Sequence, residues 1–122
     1  MKRPELHRRG FARAIAAACL GALCLGAPTA WAADDMPTIK LVMNSGQLIP
    51  QTLEVPANTR FRLEITNTGK DAAEFESLEL RKESVLAPGV TRKLVFAPLK
   101  PGRYNFFDDF HPETGKGVIV SK

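Results

Sequence analysis

The sequence predicts an all-β sandwich, and three observations support that prediction. Short segments that alternate apolar and polar residues recur along residues 33–122. Turn-forming residues separate these segments about every eight to twelve positions, and no window has the period of a helix. About seven short strands in a segment of this length are typical of a single antiparallel sandwich or barrel.

The strands are defined by their alternation. The clearest one covers residues 60–66, where Phe61, Leu63 and Ile65 share one face and charged or polar side chains share the other. The remaining strands are predicted at residues 39–43, 53–55, 75–80, 94–96, 104–107 and 118–120. Large aromatic side chains at inward positions are predicted to fill the core, namely Phe61, Phe75, Phe96, Tyr104 and Phe106.

Residues 1–32 have the features of a cleaved export signal. A basic segment precedes the apolar run 14–27, which is too short to span a bilayer because a spanning helix takes about 20 residues. Small residues at Ala30 and Ala32 suit a signal peptidase, so cleavage is expected after Ala32. The mature chain is therefore expected to be one 90-residue domain, residues 33–122, with no membrane span.

The export route has two interpretations. Arg8 and Arg9, with Phe11 two positions further on, resemble the twin-arginine signal. An ordinary Sec signal that carries two adjacent arginines is the alternative. Either route predicts that the mature domain is located in the periplasm.

The charge and the cysteines of the chain lie largely in the predicted signal. The full chain has 17 Lys and Arg against 13 Asp and Glu, and removing residues 1–32 leaves 12 of each. Balanced charge gives no reason to expect nucleic-acid binding. Cys19 and Cys24 also leave with the signal, so the mature domain has neither a disulfide nor a thiolate ligand.

Three stretches of the mature chain resemble the cupredoxins. Residues 53–67 resemble the opening strands of that fold, and residues 86–89 resemble its middle turn. Residues 100–107, with the pattern Pro-Gly-x-Tyr-x-Phe, resemble the strand that leads to its metal loop. The resemblance covers nearly all of the mature chain and implies a cupredoxin-like, antiparallel Greek-key β-sandwich of about seven strands.

The metal loop departs from the cupredoxin pattern. Asp108 stands where the family has cysteine, His111 stands at the histidine position, and Thr114 stands at the usual methionine spacing. The family's other histidine falls near Glu74, where this chain has none. A type 1 copper site needs two histidines and a thiolate, so we expect that this chain cannot build one.

Two segments resemble a particular subgroup of the family. Glu-Phe-Glu-Ser at residues 74–77 and Phe-Phe-Asp-Asp-Phe-His-Pro at residues 106–112 resemble the periplasmic cupredoxin-like component of bacterial ferrous-iron uptake systems. That resemblance implies copper and/or iron at the site. It also implies two partners, a periplasmic iron-binding protein and an inner-membrane iron permease.

The loop itself offers candidate metal ligands. His111 is the one histidine of the mature chain and lies three residues from Asp108, and Pro112 stiffens the loop between them and the next strand. Asp108 and Asp109 lie between bulky aromatic residues, where a cation would offset the cost of desolvating a carboxylate. A structural histidine and a solvated acidic turn are the alternative interpretations.

Three further candidates lie on predicted strands. Glu74 and Glu76 have equal parity on their strand and therefore share a face, opposite to that of Phe75. In the cupredoxin arrangement the start of this strand lies beside the metal loop. Met43 on the first strand could supply a thioether ligand. The alternatives are a solvated strand face for the glutamates and core packing for Met43.

The donor types narrow the chemistry to three functions. Carboxylates with one imidazole stabilise Fe(III) over Fe(II) and Cu(II) over Cu(I). The functions that stay open are a redox protein of iron uptake with ferroxidase-type oxidation of Fe(II), a copper or iron carrier without turnover, and a metal-free interaction module. A hydrolase has no support, because the mature chain has no cysteine, one histidine and no Asp-His-Ser arrangement in its sequence.

Overall fold

The computed structural model describes residues 36–122, and the predicted export signal and its cleavage site lie outside the described residues. None of the described residues forms a helix that is long and apolar enough to cross a membrane. The strands are β1 Thr38–Asn44, β2 Gln47–Ile49, β3 Thr52–Val55, β4 Phe61–Asn67, β5 Ala73–Ser77, β6 Lys82–Leu86, β7 Thr91–Phe96, β8 Gly102–Asp108 and β9 Lys116–Ser121.

These strands form two sheets. The first has the order β2-β1-β4-β7 and the second has the order β3-β9-β8-β5-β6. The all-β sandwich prediction is therefore confirmed. The expected seven strands are nine in the described part of the chain, and pairing is not antiparallel throughout, because β1 pairs with β4 and β3 pairs with β9 in parallel.

The two extra strands have identifiable causes. β2 has three residues and follows directly on the tight turn after β1, so it carries too short a pattern to recognise. β6 lies at the edge of its sheet, where Lys82 and Ser84 replace apolar residues on the inward side. The strand predicted over residues 75–80 ends at Ser77, because residues 78–81 turn and Arg81 adopts a φ of 52°.

The core contains four phenylalanine rings that form one stacked pair in each sheet, and the two pairs meet edge to face. Phe61 and Phe96 of the first sheet stack at 4.8 Å between ring centroids, and Phe75 and Phe106 of the second stack at 5.2 Å. Phe75 also meets Phe96 edge to face at 6.4 Å. The predicted aromatic core is confirmed for these four rings, whereas Tyr104 is half-buried and donates its hydroxyl proton to the Lys100 carbonyl.

Three connections meet at one end of the sandwich, which we call the loop end: the turn 45–46, the connection 68–72 and the loop 109–115. The buried side chain of Asn67 fixes the second of them. Its amide nitrogen donates to the carbonyls of Asp71 at 2.8 Å and Leu86 at 3.0 Å, and its oxygen accepts from the N–H of Gly69 at 2.9 Å. This clamp places Asp71 at the loop end.

Candidate metal centre

The loop 109–115 is closed by its own backbone. The N–H of Asp108 donates to the Gly115 carbonyl at 2.8 Å, and the N–H of Gly115 donates to the His111 carbonyl at 2.8 Å. A Cβ at position 115 would lie 2.7 Å from the Cβ of Asp108, so the closure requires glycine there. Because the loop is tight, it holds Asp108 and His111 side by side.

The carboxylate of Asp108 is fully buried and fully hydrogen-bonded. Its Oδ1 accepts from the backbone N–H of Glu74 at 2.9 Å and of Phe110 at 3.1 Å. Its Oδ2 lies 2.9 Å from Nδ1 of His111. A buried carboxylate is costly unless it is paired and hydrogen-bonded, and these three contacts provide that compensation.

His111 connects this buried carboxylate to the surface. Its Nε2 lies 2.7 Å from Oδ2 of Asp71, and the hydroxyl of Ser45 donates to Oδ1 of Asp71 at 2.7 Å. The exposed fraction of the side chain rises from 0% at Asp108 to 22% at His111 and 55% at Asp71. We call these four residues the carboxylate–histidine network.

The network shifts the pKa values of His111 and Asp71. The hydrogen bond that His111 donates to Asp108 raises the pKa of the ring above 6.5, partial burial opposes this effect, and the hydrogen bond to Asp71 adds to it. The Ser45 hydroxyl and then His111 hold the pKa of Asp71 below 3.8. Below its raised pKa, the ring is an imidazolium that donates from both nitrogens to two carboxylates.

Glycines allow the three connections to approach one another closely. Gly46 has a φ of 85°, and a Cβ there would lie 2.9 Å from the Cβ of His111 and 2.5 Å from Oγ1 of Thr114. A Cβ at Gly69 would lie 2.7 Å from the backbone nitrogen of Ser45. The base of the His111 side chain is therefore packed directly against the turn after β1.

Glu74 and Glu76 lie on the other side of β5 from the core. Burial alternates along this strand, with Phe75 inward and both glutamates half-buried on the outer side, as predicted. Partial burial raises the pKa of Glu74, and the charges of Asp109 and Glu76 add to that rise. The structure brings the backbone of Glu74, through the N–H bond to Asp108, to the network, while its carboxylate lies with the outer acidic groups.

The remaining predicted ligands occupy separate places. The exposed Asp109 attaches to β5 through its N–H, which donates to the Glu74 carbonyl at 3.0 Å. Met43 is fully buried within the hydrophobic core. Among residues 36–122, no group of three or more His, Cys, Asp or Glu side chains is arranged to hold one metal ion.

Sequence reasoning missed Asp71 and Ser45. Asp71 is 40 positions from His111 and 26 from Ser45, so no local spacing connects them. One signal was present, because the Asn-x-Gly turn of residues 67–69 precedes Asp71 and ends the strand beside the first one. Recognising that these turns share an end of the sandwich requires the strand order.

The residues at the loop end do not fit a type 1 copper ion. Asp108 replaces the thiolate, and each of its oxygens already accepts hydrogen bonds. Both nitrogens of His111 are likewise paired with carboxylates. No buried side-chain nitrogen or oxygen in the described part of the chain lacks a hydrogen-bond partner.

The fold is shared with solved copper proteins. Auracyanin from Roseiflexus castenholzii is similar with a TM-score of 0.60 at 15% identity, covering 70% of this chain and 96% of that one. The metal-binding domain of the Cu(I)-exporting ATPase CopA from Streptococcus pneumoniae is similar with a TM-score of 0.64 at 13% identity, covering 74% and 89%. At such low identity these likenesses show the fold alone.

Sequence comparison gives the family. An uncharacterized protein of Rickettsia prowazekii strain Madrid E, RP394, is 37% identical over 87 residues, which cover 71% of this chain and 70% of that protein. Residues 14–121 match the cupredoxin-like domain family. With its two-sheet sandwich and this family match over most of its length, the chain belongs to the cupredoxin-like domain family.

Proposed function

We propose that this protein is an exported, periplasmic metal-handling protein that takes up iron or copper through His111 as cargo during ferrous-iron uptake. The observation that supports the proposal is the position and the surroundings of His111, the one histidine in the described residues. It lies in the metal loop of the fold, is 22% exposed, and is flanked by carboxylates on both sides. Imidazole beside carboxylate is a donor pair that binds both Fe and Cu ions.

Cargo fits the site better than a resident cofactor. The carboxylate–histidine network is complete through its own hydrogen bonds, so an arriving ion has to displace one of them. An ion that competes with an existing hydrogen bond for one imidazole is held exchangeably. Exchange is what a carrier needs in order to pass metal to an iron-binding protein or an iron permease, the partners implied by the resemblance of residues 74–77 and 106–112.

Oxidation of Fe(II) is the redox form of the same proposal. One electron would pass from Fe(II) bound at His111 to a Cu(II) ion outside the site, giving Fe(III) and Cu(I), and the hard oxygen and nitrogen donors at His111 favour the Fe(III) product. Loss of Fe(II) that depends on Cu(II) or oxygen, and on His111, would assign ferroxidase activity. Stable Fe(II) under both conditions would assign transport without turnover.

A metal-free interaction module is the second candidate. It is favoured by the hydrogen bonds within the carboxylate–histidine network, which connect the turn 45–46, the connection 68–72 and the loop 109–115 directly to one another. In that case Asp108, His111 and Asp71 would serve only to tie the connections together.

Calorimetric titration separates the two candidates. We expect His111→Ala to weaken binding of Cu(II), and of Fe(II) under anaerobic conditions, by more than about 100-fold, because loss of a ligand exceeds the 10- to 100-fold effect of a supporting partner. Thermal melts of the metal-free proteins provide the folding control. Equal affinities for wild type and His111→Ala, or no binding by either, would leave the metal-free module as the function.

A further inference from the structure

We propose that Asp71 is the second ligand of a two-residue site for a divalent transition-metal ion, and that Asp108 positions the His111 ring without touching the ion. The inference rests on the proposed function in one respect, which is that His111 binds metal. It adds a ligand from a connection distant in sequence and changes the role of Asp108 from ligand to positioning residue.

The first step is the contact between His111 and Asp71. Nε2 and Oδ2 lie 2.7 Å apart in a hydrogen bond, so once the proton between them has left, both atoms direct a lone pair at the same point. Two donors that bind one ion at about 2.0–2.2 Å each lie roughly 3 Å apart, and the pair therefore has to open only slightly. Asp71 is 55% exposed, which leaves it free to make that movement and leaves the outer side of the ion to water.

The second step is the orientation of the ring. Metal-binding histidines commonly donate their other ring N–H to a carboxylate, which fixes the tautomer. Here Asp108 Oδ2 holds Nδ1 at 2.9 Å, and Oδ1 of the same carboxylate is anchored by two backbone N–H groups. Because Asp108 is buried and anchored, it cannot turn toward the ion, and it leaves Nε2 as the coordinating atom.

The third step is the orientation of Asp71. The Ser45 hydroxyl occupies Oδ1, which leaves Oδ2 directed at His111. The side-chain amide of Asn67 donates a hydrogen bond to the backbone carbonyl of Asp71 at 2.8 Å, which fixes the backbone at that residue. Both coordinating atoms are therefore positioned before an ion arrives. One nitrogen and one oxygen donor suit Cu(II), Zn(II) or Fe(II), with water completing the coordination.

The main test compares Asp71→Asn with a matched control. Glu113→Gln makes the same change of charge at an exposed residue of the loop that carries His111, outside the network. In titrations with Cu(II) alone at one pH and buffer, we expect Asp71→Asn to weaken binding at least 10-fold and Glu113→Gln to change it by less than about 2-fold. Wild-type affinity in Asp71→Asn, or equal losses in both variants, would overturn the assignment of Asp71.

The role of Asp108 is tested by reversing the tautomer. In Asp108→Asn the amide oxygen has to remain facing the two backbone N–H donors, so the amide N–H₂ group faces Nδ1 of His111. Nδ1 then accepts and Nε2 carries the proton, although His111 and Asp71 are unchanged. Nitrogen-15 NMR of the ring, recorded where it is neutral, reports the tautomer directly. We expect a reversed tautomer together with at least 10-fold weaker Cu(II) binding; a reversed tautomer with wild-type affinity would overturn the positioning role.

The variants distinguish failure of this inference from failure of the proposed function. If His111→Ala binds Cu(II) as wild type does, the proposed function fails and Asp71 has no site to complete. If His111→Ala loses affinity while Asp71→Asn keeps it, the function stands and only the second ligand is wrong.

Discussion

At position 108 a carboxylate stands where the cupredoxin pattern has a thiolate. A thiolate would bind copper and give it an intense charge-transfer band, whereas Asp108 accepts three hydrogen bonds and orders the loop around itself. His111, three residues later, stands at the histidine position of the cupredoxin pattern, but both of its ring nitrogens are paired with carboxylates. The change at position 108, together with the missing second histidine, thus separates this loop from that of a blue-copper site.

The absorption spectrum tests this difference at the residue scale. Cu(II) added to the wild-type protein should give only weak ligand-field absorption, because the described residues contain no thiolate. Asp108→Cys should gain a charge-transfer band, weaker than that of a blue site since one histidine is missing. An intense visible band from the wild type would contradict the ligand assignment at the loop end.

Part of the candidate site was predictable from the sequence because it is local. Asp108 and His111 are three residues apart in a loop closed by glycine, so their proximity follows from spacing. Asp71 was not predictable in this way, since its contact with His111 spans 40 positions and depends on how the sheets are joined. The prediction that Glu74 and Glu76 share one face of β5 was correct. Which face they share is set by Phe75, which packs into the core and leaves both glutamates on the outer side.

At the scale of elements, alternation identified the strands that have one face in the core. β4 alternates along its whole length, with Phe61, Leu63 and Ile65 buried, and its prediction from sequence was accurate. β2 and β6 lie at sheet edges, where fewer inward positions need apolar residues, so their pattern is weak. At residues 78–80 a strand was predicted where the chain turns. Leu78 and Leu80 continue the apolar pattern of β5 beyond its end, although Leu78 is 69% exposed.

The aromatic contact between the sheets provides an element-scale prediction. Phe75 touches both Phe106 in its own sheet and Phe96 in the other, and it is fully buried. Phe75→Ala should lower the free energy of unfolding by about 3–5 kcal/mol, the range for removing a buried aromatic ring. Phe110 is 47% exposed, so Phe110→Ala is the matched control, with an expected change within about 0.5 kcal/mol. Urea denaturation measures both, and similar losses in the two variants would contradict this account of the core.

For the molecule as a whole, the carboxylate–histidine network links the two sheets at the loop end. Ser45 follows β1 of the first sheet, Asp71 lies in the connection between the sheets, and Asp108 ends β8 of the second. The domain expected after cleavage has no cysteine, so no disulfide performs this role. The network therefore joins the three connections through side-chain hydrogen bonds, and the strength of these bonds depends on the charge of His111.

The stability of the metal-free protein should consequently depend on pH in a defined window. Because the Asp108 bond raises the pKa of His111, the contribution of the ring is fully present below about pH 6.5 and is lost as pH rises through the raised pKa. Asp71 has a lowered pKa, so its contribution is present above about pH 3.8 and is lost as pH falls through the lowered value. Thermal melts of wild type and His111→Gln in EDTA should differ most between these limits, and the difference should shrink as pH rises through the raised pKa of His111. A difference in melting temperature that stays constant or grows with rising pH would show that the charged ring does not hold the loop end together.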